Sequence, residues 1–148
     1  MFNKILKSHF SNDPIEHIYT NNLLDIKEFD RLYENQSRFG DKLWTEFKNK
    51  HKLDCTFLND LNDINMQVDV LCLLFFKERA DNKKSQDIEI GVMDIQKEIK
   101  YIQNSLLILP NHLLTFSILT RKNPYIRRPC LQIKLSLKQY NDIISNLK

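Results

Sequence analysis

Val68-Asp69-Val70-Leu71-Cys72-Leu73-Leu74-Phe75-Phe76 is the longest near-continuous apolar run in the 148-residue chain, broken only by Asp69. It is about half the length that a bilayer crossing needs. β-branched side chains at its start and aromatic rings at its end favour a buried strand, with a short buried helix as the alternative. Moving downstream, Ile88, Ile90 and Val92 alternate with Glu89 and Gly91, which is strand spacing. Asp94 stands as a cap before Ile95, Ile99, Ile102 and Leu106, a spacing that predicts a helix ending ahead of Pro110. Leu114, Phe116 and Ile118 alternate with Thr115 and Ser117, and Leu131, Ile133 and Leu135 alternate with Gln132 and Lys134. Two half-buried strands joined as a long hairpin follow from that pattern. Ser136 and Gln139 have the spacing of a capping box, and Leu137, Tyr140, Ile143, Ile144 and Leu147 share one helical face behind it.

Upstream of the central run the pattern reads as helical. Asp13-Pro14 followed by Glu16 supplies a capping side chain, a proline at a first helical position and an acid near the positive end of a helix dipole. Leu24, Ile26, Phe29, Leu32 and Tyr33 predict a second helix ending before Gly40. Leu43, Trp44 and Phe47 mark another, and Phe57, Leu58, Leu61 and Ile64 one more. The expected architecture is an α+β single domain over 1–148. In it a mainly helical region (1–65) precedes an antiparallel sheet with helices (66–148), a long basic-tipped hairpin and a C-terminal amphipathic helix. With only two glycines, Gly40 and Gly91, the chain is a poor candidate for a glycine-rich phosphate loop or an all-β fold.

Composition narrows the function classes. The start, Met1-Phe2-Asn3-Lys4-Ile5-Leu6-Lys7, lacks the long apolar stretch and small-residue cleavage site of a signal peptide. Cys55, Cys72 and Cys130 are odd in number and set among apolar neighbours, as reduced thiols are. A cytoplasmic or otherwise intracellular location is the expectation. Asn35-Gln36-Ser37 fits a glycosylation pattern that matters only in a secreted chain. The polar stretch Glu78 to Gln86 is expected to form the one long loop.

Reactive constellations are sparse. No serine sits in a glycine-flanked elbow, and His9, His17, His51 and His112 are scattered, so no catalytic residue is assigned. His51 and Cys55 would share a helical face, but no second pair completes a zinc site. Asp60, Asp63 and Asp69 lack a calcium-loop motif and read as caps and solvated acids. Asp81 and Lys83 have the acid-x-lysine spacing of some nucleases but fall in the polar stretch rather than on a strand. No metal and no cofactor is therefore expected.

Charge is uneven. The net +3 divides as 0 over residues 1–50, −3 over 51–100 and +6 over 101–148. Within the expected hairpin tip, Arg121, Lys122, Tyr125, Arg127 and Arg128 could grip phosphates and stack on a base. The plainer reading is a set of charges that keeps a sheet edge soluble.

Two stretches together resemble the COMM domain, a dimerisation module of small adaptor subunits. Leu61 to Val70 is similar to that family's opening strand, although Met66 stands where the family usually has tryptophan. Pro110 to Ile118 and Leu131 to Leu147 are similar to its later strands and final helix. The resemblance implies an obligate dimer within a larger assembly and carries no catalytic residues. The functional expectation is accordingly a non-enzymatic protein-protein interaction or assembly subunit. Its partner-binding rows would be Leu114, Phe116, Ile118, Leu131, Ile133, Leu135, Tyr140 and Ile144, without membrane insertion. The alternative is a small nucleic-acid-binding protein that uses the basic tip at 121–128.

Overall fold

The computed structural model describes residues 1–13, 15–78, 88–92, 95–110, 116–119 and 127–147. Among these, the strands are β1 (Phe10–Ser11), β2 (His17–Thr20), β3 (Cys55–Leu58), β4 (Val70–Phe75), β5 (Ile88–Val92), β6 (Ile95–Ile99), β7 (Leu106–Pro110), β8 (Phe116–Leu119) and β9 (Cys130–Ile133). The α-helices are α1 (Ile26–Glu34), α2 (Lys42–His51) and α3 (Leu137–Leu147). A six-stranded sheet runs β1-β2-β7-β4-β9-β3, and a three-stranded sheet runs β6-β5-β8, with every pairing antiparallel. From β4 onward the chain crosses repeatedly between the two sheets, as jelly-roll sandwiches do.

The central apolar run is β4, and its place explains its composition. It lies between β7 and β9 and is buried along its whole length. Val70, Cys72 and Leu74, with Phe76 just beyond, join a core built with Phe29 and Leu32 of α1, Trp44 and Phe47 of α2, and Tyr140 of α3. Leu71, Leu73 and Phe75 point the other way, into a second core with Ile88, Ile90, Ile99 and Tyr101 from the small-sheet side. A strand covered on both faces has no solvated side, so its sequence does not alternate. Each large side chain so buried contributes about 1.5–3 kcal/mol. Aromatic rings fill the helix side: Phe76 lies 5.0 Å from Phe29 and 5.3 Å from Phe57, centroid to centroid.

The expected helical N-terminal half is overturned. Strands β1, β2 and β3 all lie within the first 58 residues and belong to the large sheet. α1 and α2 occupy expected places. Asp25 caps α1 by accepting from the Lys27 N–H at 3.2 Å, and α2 closes on Lys52 in the left-handed region, φ 52°. After Asp13, however, His17–Thr20 extends and pairs with β7, Ile18 opposite Ile108. Phe57 and Leu58 belong to an edge strand, followed by a single 3-10 turn at Leu61–Asp63. The helix expected from Ile95 to Leu106 is two strands, β6 and β7. Between them Asn104 adopts φ 61° and anchors the turn by donating to the Leu24 carbonyl (2.8 Å) and accepting from the Leu24 N–H (3.0 Å).

The long hairpin is corrected too. β8 pairs with β5, Ile118 opposite Ile90, whereas β9 pairs with β3 and β4, so the two strands lie in different sheets. α3 begins with the reciprocal capping box: Gln139 N–H donates to Ser136 Oγ (3.1 Å) and Ser136 N–H to Gln139 Oε1 (2.8 Å). Among the described residues no helix is long and apolar enough to cross a membrane.

Candidate functional site

Of the rows expected to meet a partner, the one on β9 and α3 is covered by the chain itself. Leu131, Ile133, Leu135 and Tyr140 are buried in the helix-side core, and Ile144 packs against it half-buried. Phe116 and Ile118 sit on β8 in the small sheet, and Leu114 lies outside the described residues. Periodicity marks a row as apolar; here the facing surface comes from α1, α2 and β4 of the same chain.

Of the basic cluster, Arg121, Lys122 and Tyr125 lie outside the described residues, as does most of the stretch Glu78 to Gln86. Arg127 is exposed and paired with Glu78. Arg128 is only 2% exposed, at the end of the inter-sheet core beside Tyr101. Tyr101 donates its hydroxyl to the Pro129 carbonyl at 2.6 Å. Burial, then the neighbouring Cys130 and Glu78, push its pKa up, while Arg128 opposes them.

None of the three thiols is activated. Burial pushes Cys55 up to about 12 and drives Cys72 and Cys130 higher, with Asp60 and Asp63 adding to the effect on Cys130. A nucleophilic cysteine needs the opposite shift. Among the described residues no three His, Cys, Asp or Glu side chains converge so as to hold a metal ion; His112 lies outside them. His51 and Cys55 fall on different elements, α2 and β3.

One polar cluster ties the helices together. Glu28 of α1 receives Lys50 Nζ and His51 Nε2 of α2, each at 2.5 Å. Desolvation pushes the Glu28 carboxyl up, but the hydrogen bonds from Lys50 and His51 outweigh it and leave the pKa below the usual carboxylate value. It acts as an interhelical clasp beside a groove of about 320 Å³ floored by Leu32, Leu43 and Phe47.

A larger recess, about 660 Å³, opens where the large sheet splits. β9 stays paired with β3 as far as Ile133 opposite Cys55, but its pairing with β4 runs only as far as Gln132 opposite Leu73. Past that point the chain leaves β9 through Lys134–Ser136 toward α3, and residues 65–69 enter β4 on the far side of the split. Gln132 spans it at the root. Its amide accepts from the Asn65 N–H and donates to the Asn65 carbonyl, both at 2.9 Å, a side-chain copy of a strand pairing. Asn65 in turn accepts from the Gln67 N–H at 2.9 Å, which fixes the turn into β4.

The β3 and β9 wall carries Lys52, Asp54, Thr56 and Lys134, and the β4 wall carries Asn65, Gln67 and Asp69. Asp54 has Lys48 at 3.9 Å. Lys52, Lys134 and Asp69 are exposed and have no ion-pair partner among the described residues. Sequence reading assigned Asp69 a solvated role and did not single out the lysines; nothing in their local spacing links residues 52, 69 and 134.

No family model and no curated protein matches the chain. A solved structure is similar to it. The crystal structure of a Pseudomonas putida prolyl-4-hydroxylase superposes with a TM-score of 0.53 at 9% identity, covering 79% of this chain and 90% of that chain. At that identity the likeness shows the fold alone. The sandwich interior here is filled with Leu71, Leu73, Phe75, Ile88, Ile90, Leu107 and Leu109. The split-sheet cleft at its margin is where polar groups converge around open volume.

Proposed function

We propose that this protein is a non-enzymatic protein-protein interaction module, an assembly or adaptor subunit, whose recognition surface is the cleft in the split sheet and not the apolar rows of its tail. What carries the reading is the contrast between a sandwich interior packed with apolar side chains and a recess of about 660 Å³, framed by three strand segments and a helix start, that presents exposed charges and amides. A volume of that order is ample for a few side chains of a bound chain, and a site built on strand ends is held more firmly than one on a free loop. Nothing in the surroundings of Arg127 and Arg128, one ion-paired and one buried, favours the nucleic-acid alternative.

The test is selection of a random peptide display library on the immobilised full chain, beside an unrelated β-sandwich control. Enrichment of a family of sequences that binds this chain and ignores the control is expected. Failure to enrich any sequence over the control would overturn the reading.

A further inference from the structure

We infer that the split-sheet cleft takes an extended polypeptide segment of a partner, one that sets an acidic side chain against Lys52 and Lys134 and a basic one against Asp69; the inference rests on the interaction reading above. The topology separates the charges. β3 and β9 are neighbours, so Lys52 and Lys134 stand on one wall, whereas Asp69 enters from the β4 side, across the split. Asp54, the second acid of the lining, is taken up by Lys48. That leaves two cations facing one anion, none of the three having an ion-pair partner among the described residues.

The same lining disfavours other occupants. A nucleic acid calls for a predominantly cationic groove with rings for stacking, and this one sets Asp54 and Asp69 beside its two lysines and has no aromatic residue. A sugar ring would also lack an aromatic face to lie on. An apolar ligand would find only the half-buried Leu53 and Val68, since Val70, Cys55, Ile133 and Leu135 are already buried in the fold. A main chain with mixed side chains suits the rest: Thr56 offers a hydroxyl, Gln67 an amide, and the walls offer opposite charges, which set direction and register.

The experiment uses a labelled synthetic peptide from the display selection and measures its affinity for the full chain by fluorescence anisotropy. Selected sequences should share an acidic and a basic position. Lys52→Glu with Lys134→Glu should weaken binding about tenfold or more, Asp69→Lys similarly; the positions are exposed, so the fold should survive, with a small loss of stability where Lys52→Glu sets an acid at the C-terminal end of α2. A chain carrying all three changes should recover affinity for a peptide whose acid and base are exchanged. If selected peptides bind the variants as tightly as the parent chain, the cleft is not the site: the inference falls and so does the placing of the recognition surface there, while an interaction role carried by another surface stands. If no peptide is selected at all, both fall together.

Discussion

The space between the two sheets and the cleft at the margin of the large sheet share strands β4 and β9, yet they could hardly differ more. Between the sheets the inward positions of β4 meet apolar side chains, burial favours the neutral forms of Tyr101 and Cys130, and the buried Arg128 stands at the end of that space. At the split, past the last β4–β9 pair, amides, hydroxyls and charges join half-buried Leu53 and Val68 in the lining, pinned by the Gln132–Asn65 exchange. The lesson concerns where a sandwich keeps room for recognition. Pairing and packing consume the interior, and a polar opening arises where two strands separate and the chain is diverted to a helix.

The comparison can be broken most heavily from the interior. Trp44→Ala should cost about 3–5 kcal/mol, since the ring is buried among Phe39, Phe47, Phe57 and Phe76 and its Nε1–H donates to the Asn35 carbonyl at 2.9 Å. Leu73→Ala, in the inter-sheet core, should cost about 2–5 kcal/mol. Denaturant midpoints read both, and losses under 1 kcal/mol would mean that the cores are looser than the packing implies. Asn104→Ala comes next. It strands the Leu24 N–H and carbonyl and strains a position at φ 61°, for about 2–4 kcal/mol; Asn104→Gly, which removes the strain alone, should recover part of that. At the cleft, Gln132→Ala should lower stability by only about 1–2 kcal/mol, because the site is half exposed and water can replace the amide.

The smallest effect is a pH dependence. His17 is buried and touches the Ile15 carbonyl through Nδ1 at 2.7 Å, so that nitrogen carries the proton in the neutral ring. Desolvation, aided by Lys97, lowers its pKa below 6.5 in spite of the opposing Ile15 carbonyl and Asp13. A depressed folded pKa means that the unfolded state binds the proton more readily. His17 therefore stabilises fully above about pH 6.5, and that contribution is lost as pH falls through the folded value. Glu28, also depressed, adds loss in the same direction below the usual carboxylate range. Chemical denaturation from pH 7.5 to 5 should show falling stability, with a shallower slope in His17→Gln; identical slopes would contradict the assignment.

Three helices were legible in the sequence where spacing and capping agreed, while the sheet architecture was not. α1, α2 and α3 form at their stripes, and Ser136 with Gln139 makes the capping box its letters spell. Ile95 and Ile99 misled because a four-residue separation keeps side chains on one face of a strand as well as of a helix. Only Asn104, turning with positive φ, ends that ambiguity, and its role depends on Leu24, which is 80 residues away. His17–Thr20 is too short for periodicity to decide against the Asp13-Pro14 signal. The alternation of β8 and β9 was read correctly as strand, but alternation does not name a partner, and sequence adjacency suggested a hairpin where the chain changes sheet. The candidate cleft was not legible at all, because residues 52, 69 and 134 meet only through the split.

The three native cysteines differ in how they are sealed. Cys72 lies deep in the helix-side core, Cys130 in the inter-sheet core, and Cys55, at the margin of the helix-side core and 3% exposed, also lines the cleft. Site-resolved alkylation with iodoacetamide under native conditions, followed by mass spectrometry, therefore tests the sealed-interior claim directly. Cys55 should react first, while Cys72 and Cys130 label slowly and at a shared rate that follows global unfolding as denaturant is added. Rapid labelling of Cys130 in the native protein, matching or outpacing Cys55, would mean that the space between the sheets is open to solvent and would contradict the account.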